Sequence, residues 1–372
     1  MPFRFHMLGL PHTVSTPEYS SCAFTQKVVK LCAMLAMEGH EVIHYGNSLS
    51  RTAAENVAVT TTADLERSYP GHDWRKTGWP KFATTDPIYR TFYENAIAQI
   101  AVRKQPGDFL LFSFGPCQQI IAHAHPDLIP VESGIGYPDG TFAPYRIFES
   151  YAIMHAYMGN KAAKTATNNF WYDAVIPNAF NLNEFAFSKS KHDFFLFLGR
   201  ATGAKGLHIA TDIAAKIKTK LVVAGQTEQW TPDTEFVEYV GVVGPGERKK
   251  LLRRAKATIC ASTFLEPFCG VQIESMISGT PVISSNWGAF TEYNKQGATG
   301  FRCRTFEQFL WAANNIKQIN PKVCKAWGEE FSLEKIAPLY TDYFQSIKDI
   351  YGGKGWYEPR ADRKTLATAS FQ

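Results

Sequence analysis

The sequence predicts an α/β protein built from two doubly wound halves, and three observations carry that prediction. Two short apolar runs close on glycine, FRFHMLGL (3–10) and, with one further residue, FFLFLGR (194–200). Each leads into a stretch with apolar residues at helical spacing and then into a second apolar run, the strand–helix–strand opening of a parallel sheet. The chain has 372 residues, too many for one ordinary core and suited to two domains of roughly 150 to 200 residues.

In order, the first strand is followed by a helix with apolar positions from Val28 to Met37, stopped by Gly39, and by the strand VIHY. A helix over 87–103, a strand over 108–114, a helix over 117–125 and a strand over 128–133 continue the first half. The segment 47–86, containing RSYPGHDWRKTGWPKFATTDP, is aromatic and without regular periodicity, and reads as a long loop of the kind that often serves function. The polar, turn-rich stretch 180–192 marks a boundary. Beyond it the pattern predicts a helix after Lys205, the strand LVVAG, helices from Glu247 and Gly270, and strands ATICAS (257–262) and PVISS (281–285). A long helix over 334–350 closes the chain before an irregular tail. The domains are therefore expected at 1–185 and 186–335, with 336–372 packing back on the first.

The formal charge of +5 is mildly basic and permits an anionic partner without demanding one. Seven cysteines, odd in number and with no C-x-x-C pair, argue against a disulfide framework or a zinc site and for a reducing, cytoplasmic setting. No stretch approaches the roughly 18 apolar residues of a membrane span, so any membrane contact is expected to be peripheral.

The most informative stretch is EPFCGVQIE (266–274), two glutamates bracketing seven residues. It follows a buried strand and opens a helix that Gly279 and Pro281 end. A helix entered from the carboxyl end of a parallel strand points its amides, here those of Phe268, Cys269, Gly270 and Val271, into the ligand crevice, where they suit phosphate. Gly270 lets a ligand approach the backbone closely. Glu266 before the helix and Glu274 one turn inside it would flank that phosphate, which fits a ligand with hydroxyls at both ends and phosphates between, such as a nucleotide sugar.

Glu266, Phe268, Gly270 and Glu274, followed by Gly279-Thr280-Pro281-Val282, resemble the E-x7-E region of retaining glycosyltransferases of family 4, glycosyl transferases group 1. FLGRATGAKG (197–206) resembles the same family's strand, Gly-Arg, short loop and Lys-Gly element. The resemblance implies the GT-B fold: two Rossmann-like domains facing across a cleft and a C-terminal helix crossing back. It also implies that Arg200 and Lys205, beside Gly199, hold the donor pyrophosphate, that Glu266 faces the donor sugar and that Glu274 binds the ribose. A UDP- or GDP-sugar donor, a hydroxyl acceptor on a glycan, lipid or other glycoconjugate, retention of configuration and no metal or other cofactor follow as expectations, and no D-x-D metal anchor is present.

The first half matches in outline. Relatives carry a histidine at the end of an N-domain strand, yet 128–150 contains none; Gly134, Gly136 and Gly140, with Tyr137, Asp139, Arg146 and Glu149, are the candidates there. The loop GLPHT (9–13) after the first strand adds Gly9 and His12. His123 and His125 form H-x-H, a spacing that places them on different helix faces and reads as structural. The run ERKKLLRRAK (247–256) reads as a solvated basic helix face, with anionic lipid or nucleic acid as its alternative partner. Competing readings are transfer to a modified base in DNA, a nucleotide-sugar epimerase or hydrolase of the same fold, and a non-catalytic nucleotide-sugar binding module.

Overall fold

The computed structural model describes residues 2–137, 140–164, 172–227 and 230–351. The candidate Asp139 and the tail beyond 351 lie outside them.

The first sheet contains β1 (Arg4–Leu8), β2 (Glu41–Asn47), β3 (Glu55–Thr60), β4 (Phe109–Phe112), β5 (Ile129–Ile135), β6 (Tyr145–Phe148) and β7 (Ala174–Val175), in the order 3-2-1-4-5-6-7. The second contains β8 (Phe194–Leu198), β9 (Lys220–Ala224), β10 (Val237–Gly241), β11 (Ala257–Cys260), β12 (Val282–Ser285) and β13 (Gly300–Cys303), in the order 10-9-8-11-12-13. Every recorded pairing is parallel. Relative to its own first strand, each sheet repeats the same doubly wound order, which reverses beside that strand. Ligand crevices open at the carboxyl ends of strands at such reversals.

The strands read as apolar runs because helices cover both faces. In β4, Phe109 and Leu111 join the core beneath the helix Ala23–Met37, while Leu110 and Phe112 face the core beneath the helix Pro87–Ala101. The closing helix Leu333–Tyr351 belongs to the first of these cores through Ile336, Tyr340, Phe344 and Ile347, an apolar stripe at helical spacing. Phe344 packs 4.7 Å from Phe5 and 4.9 Å from Phe109, centroid to centroid. The two chain crossings bind each other, Phe180 donating its N–H to the Phe331 carbonyl (2.8 Å) and Leu333 donating to the Phe180 carbonyl (3.1 Å). Two Rossmann-like domains, with a last helix returning to the first, make this the GT-B architecture.

The segment 47–86 departs from the loop expected there. It holds the edge strand β3, the helix Thr62–Ser68 with its Thr61/Asp64 capping box, and the short helix Trp74–Thr77. ENVAVT buries Val57, Val59 and Thr60, a pattern too brief to stand out from its polar surroundings. The strands β6, β7, β10 and β13, between two and five residues each, escaped notice for the same reason.

Candidate active site

A cavity of about 1230 Å3 lies between the two domains, and loops at both strand-order reversals line it. The wall from the second domain begins after β8, where Gly199 and Arg200 enter the cavity surface. The Arg200 guanidinium is exposed and lies 5.6 Å over the ring of Trp79, which reaches across from the first domain. Lys205 follows on a 3-10 turn and extends its ammonium to Glu266 Oε1, 2.5 Å away, while Ser262 donates to the same oxygen at 2.6 Å. Glu266 is 2% exposed, so both donors offset the cost of burying its carboxylate.

Two glycines make this junction possible. A Cβ on Gly206, which has φ +73°, would lie 1.9 Å from the Ala261 carbonyl oxygen, so only glycine lets the loops after β8 and β11 touch. Gly288, at φ +58°, packs against the backbone of Glu266, and the Ala289 N–H donates to the Glu266 carbonyl at 3.0 Å. The helix Gly270–Ile277 then opens behind Cys269, a non-glycine residue held at φ +63°. Cys269, Gly270 and Val271 line the cavity, as does Glu274.

Glu274 does not stand open to solvent. Its Oε2 accepts from Arg248 Nε at 2.9 Å and from Arg248 Nη2, while Arg248 Nη1 donates to the Ser20 carbonyl of the first domain at 3.3 Å. Arg248 lies on the helix Pro245–Arg254, the run read from sequence as a solvated face; its neighbour Lys249 donates to the Asn183 carbonyl at 2.9 Å, and both line the cavity. That reading of the helix is corrected for these two residues.

The wall from the first domain is aromatic. His12, after β1, lines it with its ring 3.8 Å from Phe82, and its Nδ1 meets the Tyr89 hydroxyl at 2.8 Å. Burial drives the His12 imidazole down to about 3, so it is neutral at physiological pH. At the end of β6, Glu149 occupies the region where no histidine was found. Its Oε1 accepts from Lys27 and its Oε2 from Asn178 Nδ2 at 2.9 Å, while Lys27 also donates to the Gly134 carbonyl at 2.8 Å. Burial pushes the Lys27 ammonium below the ordinary lysine range. A Cβ on Gly136 would lie 2.6 Å from Glu149 Oε1 and 3.4 Å from Pro267 Cβ, so this glycine marks where the two walls meet. Across the same seam, Tyr293 donates its hydroxyl to the Glu149 carbonyl at 2.7 Å.

Four expected positions fall elsewhere, among them Gly140, which packs against the Pro116 ring. Gly9 does not line the cavity: its N–H donates to the Tyr45 carbonyl (2.8 Å), its carbonyl accepts from Gln118 (2.9 Å), and His44 and Ser15 pack where a Cβ would be. Phe268 is 1% exposed, with its ring 4.7 Å from Tyr293, and serves the core beneath the site. Arg146 is buried in a two-pronged pair with Asp173 (2.7 and 3.0 Å), away from the cavity. Lys27, Trp79, Phe82 and Arg248 are among the cavity residues that sequence reasoning missed, and of these Trp79 and Phe82 carried a signal, their place in the aromatic segment. His123 is exposed and His125 buried, and no group of three or more potential metal ligands occurs among the described residues.

Fold and cleft together define a two-domain α/β protein of GT-B architecture. Residues 181–330, which span the second sheet and its cleft wall, match the family model of glycosyl transferases group 1. Over 122 residues the chain is 32% identical to the glycogen synthase of Mycobacterium tuberculosis, covering 29% of this chain and 29% of that protein. The chain thus matches under a third of that relative's length. Among solved structures, sucrose-phosphate synthase from Thermosynechococcus elongatus superposes with a TM-score of 0.69 at 16% identity, over 94% of this chain and 100% of that one. Anabaena HepE, solved with UDP and glucose, gives a TM-score of 0.66 at 14% identity, over 92% of this chain and 100% of that one. Likeness at these identities speaks for the fold. No helix among the described residues is long and apolar enough to cross a membrane.

Proposed function

We propose that this protein is a retaining glycosyltransferase that moves a sugar from a nucleoside diphosphate sugar, a UDP- or GDP-sugar first, to a hydroxyl of a glycan, lipid or other glycoconjugate in the cytoplasm. The observation that carries the proposal is the convergence of Arg200, Lys205, Glu266 and the start of the helix Gly270–Ile277 on one wall of the cleft. The group 1 match over this wall and the UDP and glucose held by HepE support it.

As the bond between the anomeric carbon and the diphosphate oxygen breaks, negative charge grows on the phosphate. Arg200, Lys205 and the helix-start amides are cationic or donor groups preorganised for that charge. Lys205 spends one of its three donors on Glu266 and retains two for phosphate oxygens. Glu266, fixed by Lys205 and Ser262, offers its second oxygen to a sugar hydroxyl. Glu274 binds the ribose once Arg248 yields part of its grip. The acceptor oxygen bonds to the face the diphosphate leaves, and its proton passes to the departing phosphate. No metal is assigned a part, and transfer persists in EDTA on this reading.

Thermal shift and nucleoside diphosphate release, measured with UDP-, GDP- and ADP-sugars on the wild type and Glu274→Gln, test the proposal. A donor that stabilises and turns over with the wild type and loses its stabilisation in the variant supports it. Binding of none of them refutes it.

A further inference from the structure

A cation withdrawn from water needs a partner, and most of those lining the cleft have one. Lys27 meets Glu149, Lys205 meets Glu266, Arg248 meets Glu274, and Lys249 donates to the Asn183 carbonyl. The side chains of Arg200 and Lys30 differ: neither has a hydrogen-bond or ion-pair partner among the described residues. Each rests instead on an aromatic ring, Arg200 over Trp79 and Lys30 with its Nζ 4.1 Å over Phe180. Arg200 belongs to the second domain and is exposed. Lys30 belongs to the first, half-buried on the helix Ala23–Met37 a turn beyond Lys27.

The ring beneath Lys30 touches the helix start on the charged wall. A Cβ on Gly270 would lie 3.6 Å from Phe180 Cζ and 3.8 Å from Glu274 Oε1, the carboxylate oxygen that Arg248 does not take. Glu274 and Glu184 attract the Lys30 ammonium and Arg248 repels it, yet neither carboxylate comes within ion-pair reach. Burial outweighs their pull and draws Lys30 below the ordinary lysine range. An ammonium has three donors and no acceptor, so the partner it lacks is an acceptor, and one carrying negative charge offsets the burial best. The amides at the start of the helix Gly270–Ile277 ask for the same chemistry beside it.

We infer that Lys30 is a first-domain arm of the diphosphate clamp, its ammonium binding a phosphate oxygen of the donor at the start of the helix Gly270–Ile277 while Arg200 and Lys205 hold the same diphosphate from the second domain. The leaving group is then gripped by both domains at once. The inference rests on the nucleotide-sugar reading of the cleft, but it is tested by binding and stability, without turnover. Isothermal titration of UDP, GDP and ADP into the wild type, Lys30→Met and Lys249→Met is paired with urea unfolding of the nucleotide-free proteins. Methionine keeps an apolar stem against Phe180 and removes the charge.

The nucleotide that binds the wild type should bind Lys30→Met roughly ten- to a hundredfold more weakly. Without nucleotide, Lys30→Met should unfold at an equal or higher urea concentration than the wild type, since no partner is stranded by the change. Lys249→Met removes a cation that already has a partner and should lose much less affinity. At saturating nucleotide, phosphorus NMR should show a shifted resonance of the bound diphosphate in Lys30→Met. Unchanged affinity in that variant overturns the inference and leaves the donor reading standing. So does a less stable nucleotide-free variant, which assigns Lys30 to the fold, an equal loss in Lys249→Met, which assigns it to the general field of the cleft, or a weakened nucleotide whose phosphorus resonances do not move. Binding of none of the nucleotides to the wild type defeats the donor reading itself, and the inference with it.

Discussion

The two halves share a strand order yet face the cleft with different chemistry. The second domain presents charge arranged around a helix start: Arg200, Lys205, Glu266 and Glu274. The first presents half-buried rings and one buried ion pair, Lys27–Glu149. One parallel scaffold thus delivers a charged wall and an aromatic wall, because residues after the strands rather than the strands decide what each crevice presents.

If the charged wall carries the chemistry, its removal gives the largest effect. Lys205→Ala deletes a donor to the leaving group and leaves the Glu266 carboxylate buried on Ser262 alone. Turnover should fall roughly a hundred- to a thousandfold. Steady-state release of nucleoside diphosphate measures it, and a loss confined to KM would mean that Lys205 only binds ground-state donor.

On the aromatic wall the corresponding cut acts first on stability. Lys27→Met strands Glu149, 3% exposed at its side chain, with Asn178 as its remaining side-chain partner. A buried carboxylate deprived of its cation costs about 3 to 5 kcal/mol. Urea unfolding would show it, and the double variant Lys27→Met/Glu149→Gln should recover part of the loss, since the orphaned charge is gone.

The contrast also explains what could be read from the sequence. The charged wall draws mainly on two short stretches, 197–206 and 262–274, where strand, glycine, charge and helix start lie side by side, so the site assembles locally. Lys27, Trp79, Phe82 and Glu149 come from a helix, an insertion and a strand end that only the tertiary fold brings together, and none announces its neighbour. Glu149 was within reach because it ends a strand; Lys27 looked like any helical lysine. Arg248 was hidden by its company, a basic run whose other members, such as Arg253 and Arg254, do face solvent. Gly9 and Phe268 err in the opposite direction: their positions beside the loops are right, but backbone bonds and core packing claim them.

The neutral imidazole on the aromatic wall yields a pH signature. His12 keeps its proton off until about pH 3 when folded, against an ordinary value of 6.5 when unfolded. Between those values the unfolded chain binds a proton that the native state refuses, so stability drops as pH falls below about 6.5 and levels off near the folded value. Down to about pH 5 this amounts to about 2 kcal/mol. His12→Gln should remove that share of the acid loss in urea unfolding. His44, likewise held down to about 4 by burial, is common to both proteins and cancels in the difference. Equal pH slopes for the two would mean that His12 titrates normally and that the wall is wetter than its packing indicates.

The smallest effect probes where the walls touch. Trp79 offers the face of its indole to Arg200, and its neighbour Gly78, at φ +83°, leaves the space into which Gln226 of the second domain projects. A partly exposed cation–π contact of this kind contributes about 0.5 to 1 kcal/mol. Trp79→Leu keeps apolar bulk but loses the ring, so Arg200 gains freedom where it should point at phosphate. The expected change is a two- to fivefold fall in kcat, roughly that contact energy, with stability nearly unchanged. Because Trp79 arrives from the aromatic wall and Arg200 from the charged one, such a fall would show that the first domain helps hold Arg200 in its working position. An unaltered kcat would separate the two walls into independent sites that merely share a cleft.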